Sequence, residues 1–188
     1  MKKFDVEIKR SVGAGDPLPV GGYVAKIMNA EVKEYSWGDV LVVSFDIAEG
    51  EYKDFFANQY KANTNEDKKW KGNFRINVPQ EGNQWFDSQK RTFGNAIACI
   101  EESNSGYHWD WDEAKLKGKL VGVLYRNYEY DIAGRQGWST ECGTFVGVDD
   151  IRNGNFRQMK DRPLNNKPVE VKPTVADFEE IDDESLPF

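Results

Sequence analysis

The sequence predicts a mainly β fold, with five strands and one helix set between the third and the fourth. Three observations lead there. Stretches of alternating apolar residues recur at strand length on both sides of a single amphipathic stretch. The first of those stretches switches parity part-way, as a strand does when it carries a β-bulge. Beyond about Arg152 the periodicity fades, so the last part of the chain offers little core material.

The elements follow in order. Residues 1–19 form a polar lead-in closed by the turn-rich "GAGDPLP". In "GYVAKIMNAEVKEY", Tyr23, Ala25 and Ile27 share one parity and Met28, Ala30 and Val32 the other, so a bulge is expected between them. "SWGD" reads as a turn. "VLVVSFDIAEG" alternates Leu41, Val43, Phe45 and Ile47, and "EYKDFFANQYKA" is expected as the third strand of a meander. "NTNEDKKWKGNFRINVP" is polar and rich in breakers, and is expected as an irregular excursion. "NQWFDSQKRTFGNAIACIEESNSG" is the helix, with Phe86, Phe93, Ile97 and Ile100 on one face. "KLVGVLYRNYEYD" and "GWSTECGTFVGVDDI" are the last two strands, joined through "IAGRQG". This is the element order of the OB-fold, a five-stranded Greek-key barrel with its helix between strands 3 and 4. A sandwich with an inserted helix is the competing architecture. The domain is expected over 1–155, a flexible linker over 156–176 and a disordered acidic tail over 177–188.

Charge is unevenly placed. The 188-residue chain carries −7, but six acids stand in Asp177–Phe188, which leaves the rest at −1. Lys53–Arg75 holds six basic residues against three acidic, and Ile151–Ala176 six against two. Local basic patches of this kind suit a polyanion better than the net charge suggests. Cys99 and Cys142 are the only cysteines and His108 the only histidine, so neither a zinc site nor any other metal or cofactor is called for. Lone cysteines, no signal-peptide pattern and no apolar run of membrane-spanning length are the basis for expecting a cytoplasmic protein with no membrane partner.

Aromatic and basic residues interleave, which is the composition single-stranded nucleic acid needs: cations for the phosphates, rings on which bases stack. "YKDFFANQYK" offers Lys53, Phe55 and Tyr60. "KKWKGNFR" sets Trp70 and Phe74 among Lys68, Lys69, Lys71 and Arg75, and Trp70 is expected to be exposed. "LYRNYEYD" places Arg126, Tyr128 and Tyr130 on one strand face. "GRQGWS" brings Arg135 and Trp138 to a turn tip, and Trp37 stands at another. About half of the rings must instead be barrel core, with Phe45, Phe93 and Phe145 the clearest cases, and one of Phe55 and Phe56 must point inward if they lie on a strand.

The tail "DFEEIDDESLPF" pairs six acids with an apolar tip. Leu186, Pro187 and Phe188 can plug a pocket, a terminal carboxylate can sit in a basic nest, and the acids steer encounter with a basic rim. A five-strand, one-helix body followed by a linker and "DDESLPF" resembles the single-stranded DNA-binding proteins of bacteria and their phages. "KGKLVGVLYRNYEY" followed by "DDIRNG" looks more like the phage or prophage versions. The resemblance implies that Asp182, Asp183, Leu186, Pro187 and Phe188, with Glu184 among them, recruit replication, recombination and repair enzymes of a bacterial host cell. It implies sequence-independent binding of single-stranded DNA without catalysis. Bacterial relatives often assemble, and the sequence leaves the homo-oligomeric state open.

Other classes fit less well. Asp46, Glu49, Glu51 and Asp54 cluster as a metal-dependent nuclease would require, but a hairpin turn explains them. "GAGDPLPVGG" lacks the lysine and the helix of a phosphate-binding loop. A DNA mimic wants its acids spread over a folded face, and here they gather in the tail. The alternative to DNA binding is an acidic adaptor or inhibitor that captures a DNA-processing enzyme through the tail alone.

Overall fold

A computed structural model of the chain describes residues 15–164. The tail residues Asp182, Asp183, Glu184, Leu186, Pro187 and Phe188 lie outside the described residues. Within them, one antiparallel sheet has the order β3-β2-β1-β4-β5. Its strands are β1 (Gly21–Tyr35), β2 (Gly38–Ile47), β3 (Asn73–Asn77), β4 (Leu120–Ile132) and β5 (Arg135–Val146). Three α-helices, α1 (Phe55–Ala62), α2 (Phe86–Ser103) and α3 (Val148–Asn153), and one 3-10 turn, Glu113–Leu116, complete the described fold.

β1 is long enough to serve two neighbours. Its first residues, Gly21 to Lys26, pair with β4, and Ala25 to Tyr35 pair with β2. The register slips between Ile27 and Asn29, which is the expected bulge. Ala25 and Ile27 are buried before it, Ala30 is buried after it, and Met28 is pushed out to solvent. One extra residue thus moves the apolar set across the pleat and bends the strand. The sheet curls around Phe45, Ile27, Val43, Val121 and Val123, which are fully buried. Phe93 and Phe145 are also core, as expected.

α2 lays Phe93, Ala96, Ile97 and Ile100 on the sheet. Asn104 ties its end to β4. Its Nδ2 donates to the carbonyls of Ile100 and Leu120, both at 2.7 Å, and its Oδ1 accepts from Leu120 N at 2.9 Å. β4 and β5 are joined by Ala133 and Gly134, both at positive φ (52° and 78°), a two-residue turn whose twist matches the strands.

Three expectations are corrected. The expected last strand ends at Val146, and its final residues from Val148 belong to α3, so the described residues hold three α-helices where one was expected. The segment 51–62 is not a strand: from Phe55 onward it is α1, and Phe55 and Phe56 are both buried. Adjacent residues cannot face the same side of a strand, but on a helix they lie about 100° apart and share one wide face. The third strand lies instead inside the segment expected as an irregular excursion, where Asn73–Asn77 pairs with Val40–Ser44. The sheet is also open. The edge strands β3 and β5 are not hydrogen-bonded to each other, although Phe74 on β3 packs on Phe145 on β5 with ring centroids 4.9 Å apart.

The described part of the expected linker packs on the domain. Gly154 ends α3 in the left-handed conformation, and residues 155–164 then run back along β4. Arg162 N donates to Asn127 O at 2.9 Å, and Glu129 N to Arg162 O at 2.9 Å. Gln158 Nε2 donates to Tyr125 O at 2.9 Å. Among the described residues, no helix is long and apolar enough to cross a membrane.

Candidate nucleic-acid interface

A groove of about 750 Å³ opens between β3 on one side and β4–β5 on the other, with α1 along it. It occupies the gap that the unpaired sheet edges leave. The geometry of its walls follows from a few local contacts.

α1 is held by Asp46. That residue is 5% exposed, at the end of β2. Its Oδ1 accepts from Ile47 N and Phe56 N, both at 2.9 Å, and its Oδ2 from Ala57 N at 3.0 Å. Asp54, at φ 60°, turns the chain into the helix and supplies no side-chain cap. A carboxylate ten residues upstream therefore takes the helix's free N–H groups. Burial pushes the Asp46 carboxyl above the usual carboxylate range, and the three N–H donors pull against that shift. The Asp46–Asp54 carboxylates do not converge on a metal. Asp46 is a helix cap, Glu49 pairs with Arg152 at 2.6 Å, and among the described residues no group of three or more His, Cys, Asp or Glu could hold an ion.

The β3 wall begins at Trp70. Its Nε1 donates to the carbonyls of Phe45 and Gly72, both at 3.0 Å, and its ring lies 5.9 Å from Tyr60 and 6.5 Å from Phe56. Trp70 is therefore half-buried and fixed, where the sequence led to an exposed ring. The backbone at Gly72 passes so close to Phe45 O and to the Phe56 ring that a side chain there has no room. Lys71 and Arg75 are exposed on this wall, and among the described residues neither is in an ion pair within 4.0 Å.

The opposite wall carries Arg126 and Tyr128 from β4 and Glu141 from β5. Arg162 joins them from the returning segment. The lead-in closes one lip: Thr140 Oγ1 donates to Leu18 O, and Gln59 Nε2 to Asp16 O at 2.5 Å. The groove thus holds four cations, Lys71, Arg75, Arg126 and Arg162, against Asp16 and Glu141. Its thiol, Cys142, is held well above the usual cysteine range by burial, and burial does the same to Cys99.

Of the residues singled out in the sequence, Phe55, Trp70, Lys71, Arg75, Arg126 and Tyr128 line this groove. Phe55 does so as buried floor, packed edge-on against Tyr52 and Phe56, and presents no free face for a base. Tyr60 and Lys69 line a shallow pocket next door that shares Lys71, and Lys68 covers the Tyr60 ring with its Nζ 4.5 Å from the centroid. Lys53 sits at the start of α1 in a separate hollow. Tyr130 lies 6.3 Å from Tyr128 along β4. Trp138 pairs with Glu129 and so faces away from Tyr128 and Tyr130. Trp138 is 51% exposed, near Arg135 at the β4–β5 tip. Trp37, 59% exposed, stacks on Tyr35 at the β1–β2 tip with centroids 5.1 Å apart.

Glu141 and Arg162 were not singled out. The basic balance of 151–176 was the one available signal for Arg162, but nothing in that stretch marks a return to β4. The chain matches no protein-family model and no curated protein sequence.

Proposed function

We propose that this chain binds single-stranded DNA in the groove between β3 and β4–β5, independently of sequence and without catalysis. The observation that carries the reading is the convergence, in one open cleft, of Trp70, Phe74 and Tyr128 with Lys71, Arg75, Arg126 and Arg162. Cations along a backbone track and rings for stacking are what a single strand requires, and each stacked base contributes roughly 1–3 kcal/mol. A duplex hides its base faces, so the rings have nothing to stack on.

The architecture supports the same reading. The antiparallel order β3-β2-β1-β4-β5, with Phe74 and Phe145 in contact across the open edges and a helix between β3 and β4, supports reading the open sheet as a variant of the OB-fold. In that fold, oligonucleotides lie across the strand 2–3 face and the loops after strands 1 and 4. Here the first of those loops carries Trp37, and Arg135 and Trp138 lie just beyond the second, at the start of β5. The tail residues Asp182, Asp183, Glu184, Leu186, Pro187 and Phe188 are then the docking peptide for replication, recombination and repair proteins.

The test is tryptophan fluorescence during titration with oligo-dT and with duplex of equal length, at low and high salt. Quenching by oligo-dT alone, weakened by salt and reduced in Trp70→Phe, is the expected result. No response to either nucleic acid would sink the proposal.

A further inference from the structure

Arg126 and Arg162 reach the groove from distant parts of the chain and meet on one carboxylate. Arg126 on β4 stands directly opposite Glu141 on β5, and its Nε donates to Glu141 Oε1 at 3.0 Å. Arg162 donates from Nη2 to the other oxygen, Oε2, at 2.8 Å. The Arg162 guanidinium also lies over Tyr128, 5.6 Å from the ring centroid. The segment that delivers it is pinned on both sides of the residue. Asp161 accepts from Asn127 Nδ2 at 3.0 Å, and Leu164 N donates to Glu129 Oε2 at 3.2 Å.

A guanidinium has five N–H donors in a planar fork. Each arginine gives one to Glu141 and keeps others for a ligand. The two forks are ordered when the domain folds, so an anion arriving between them meets donors that need little further ordering. Two arginines and one glutamate carry a formal charge of +1, which matches one singly charged phosphodiester.

We infer that Arg126, Arg162 and Glu141 form a single phosphate subsite in which both guanidiniums dock one backbone phosphate of the bound strand and Glu141 is the positioning residue. The inference rests on the proposed single-strand binding. Its consequence is an unusual pattern of additivity. Arg162→Ala leaves Arg126 neutralised by Glu141, and Arg126→Ala leaves Arg162 in the same state. Either change removes the one contact. The log-log salt slope becomes shallower by about 0.7, and affinity falls about fivefold near 0.1 M salt. The double variant, made together with Glu141→Gln so that no lone carboxylate faces the strand, is neutral like each single and has no second contact to lose. Glu141→Gln in the Arg162→Ala background restores the +1 charge, and with it the slope.

The experiment is fluorescence anisotropy of labelled oligo-dT over a potassium chloride series. It uses the full chain, its Arg126→Ala and Arg162→Ala variants, their double made together with Glu141→Gln, and Arg162→Ala/Glu141→Gln. Thermal melts confirm that each variant folds, and the matching glutamine change, Arg126→Gln or Arg162→Gln, replaces any alanine that does not. Singles and double with one common slope, and recovery of that slope by Glu141→Gln, are expected. A double variant that loses twice the slope of a single would show two independent contacts and overturn the subsite. So would single variants that keep the unmodified slope. Failure of the unmodified chain to bind oligo-dT would instead overturn the single-strand reading itself.

Discussion

Asp46→Ala tests why residues 55–62 are a helix and what positions the groove. The substitution removes an acceptor that is 5% exposed and takes three backbone N–H groups, those of Ile47, Phe56 and Ala57, at 2.9–3.0 Å. Hydrogen bonds to a charged group contribute roughly 1.5–3 kcal/mol each, and a buried donor left alone costs about 1–3 kcal/mol. Removing a carboxylate that burial disfavours returns part of that loss. The net expectation is about 3 kcal/mol of lost stability. For a domain of this size that corresponds to a fall of roughly 6–12 °C in melting temperature. Urea unfolding followed by tryptophan fluorescence measures it directly, with an unchanged slope against denaturant showing that the same surface unfolds. Helical far-ultraviolet signal should fall as α1 frays, and oligo-dT affinity should fall with it, because α1 carries Phe55, Phe56 and Gln59 to the groove. The pH dependence gives a second reading. The folded state binds the Asp46 proton more tightly than the unfolded chain does. Its contribution to stability therefore declines as pH rises from the ordinary aspartate range to the raised value, and is constant above it. That component should be missing in Asp46→Ala. A loss below about 1 kcal/mol, with α1 intact, would refute the argument that this cap makes the helix.

Other expectations follow from the same contacts. Gly72→Ala should cost about 2–3 kcal/mol, because a Cβ there collides with Phe45 O and comes within 2.5 Å of Phe56 Cδ2; chemical denaturation checks it. The same change should blue- or red-shift the Trp70 emission, since the Trp70 indole donates to Gly72 O. Lys71→Ala/Arg75→Ala removes the two groove cations that no described acid pairs with, so the salt slope for oligo-dT should fall by about 1.4 and affinity by about 25-fold near 0.1 M salt, with thermal stability nearly unchanged. Truncation of Leu186–Phe188 should leave oligo-dT affinity intact or slightly higher and abolish capture of partner enzymes in a pull-down. Loss of DNA binding on that truncation would contradict the division of labour between groove and tail.

Several elements were legible because their signal is local. The parity switch around Met28 announced the bulge, and one extra residue is visible in any alternating pattern. The face of Phe93, Ile97 and Ile100 announced α2, and the flanking alternation announced β4 and β5. The segment 51–62 misled for an equally local reason. Tyr52, Phe56 and Tyr60 are spaced by four, and a spacing of four satisfies both a two-residue and a 3.6-residue period. What decides between them is Asp46, whose role as a cap depends on β2 ending beside the helix. β3 was hidden because it has only Phe74 and Ile76 to alternate, set in a stretch of lysines and asparagines. Its pairing with β2 supplies the stability that its own composition does not.

The candidate site divides along the same line. By itself the sequence determined the chemistry available: interleaved rings and cations, an acidic tail with an apolar tip, and two cysteines and one histidine standing apart from one another. Composition and spacing fix such things, since they need no partner distant in the chain. Only the tertiary structure decided which of these residues share a groove. It turned Phe55 into floor, fixed Trp70 by two carbonyls, sent Trp138 to the other face of the β4–β5 hairpin, and brought Arg162 onto Glu141 beside Arg126. The Trp70 bond to Phe45 O and the meeting of Arg162 with Glu141 join residues 25 and 21 positions apart, and no periodicity along the chain encodes which such groups will meet.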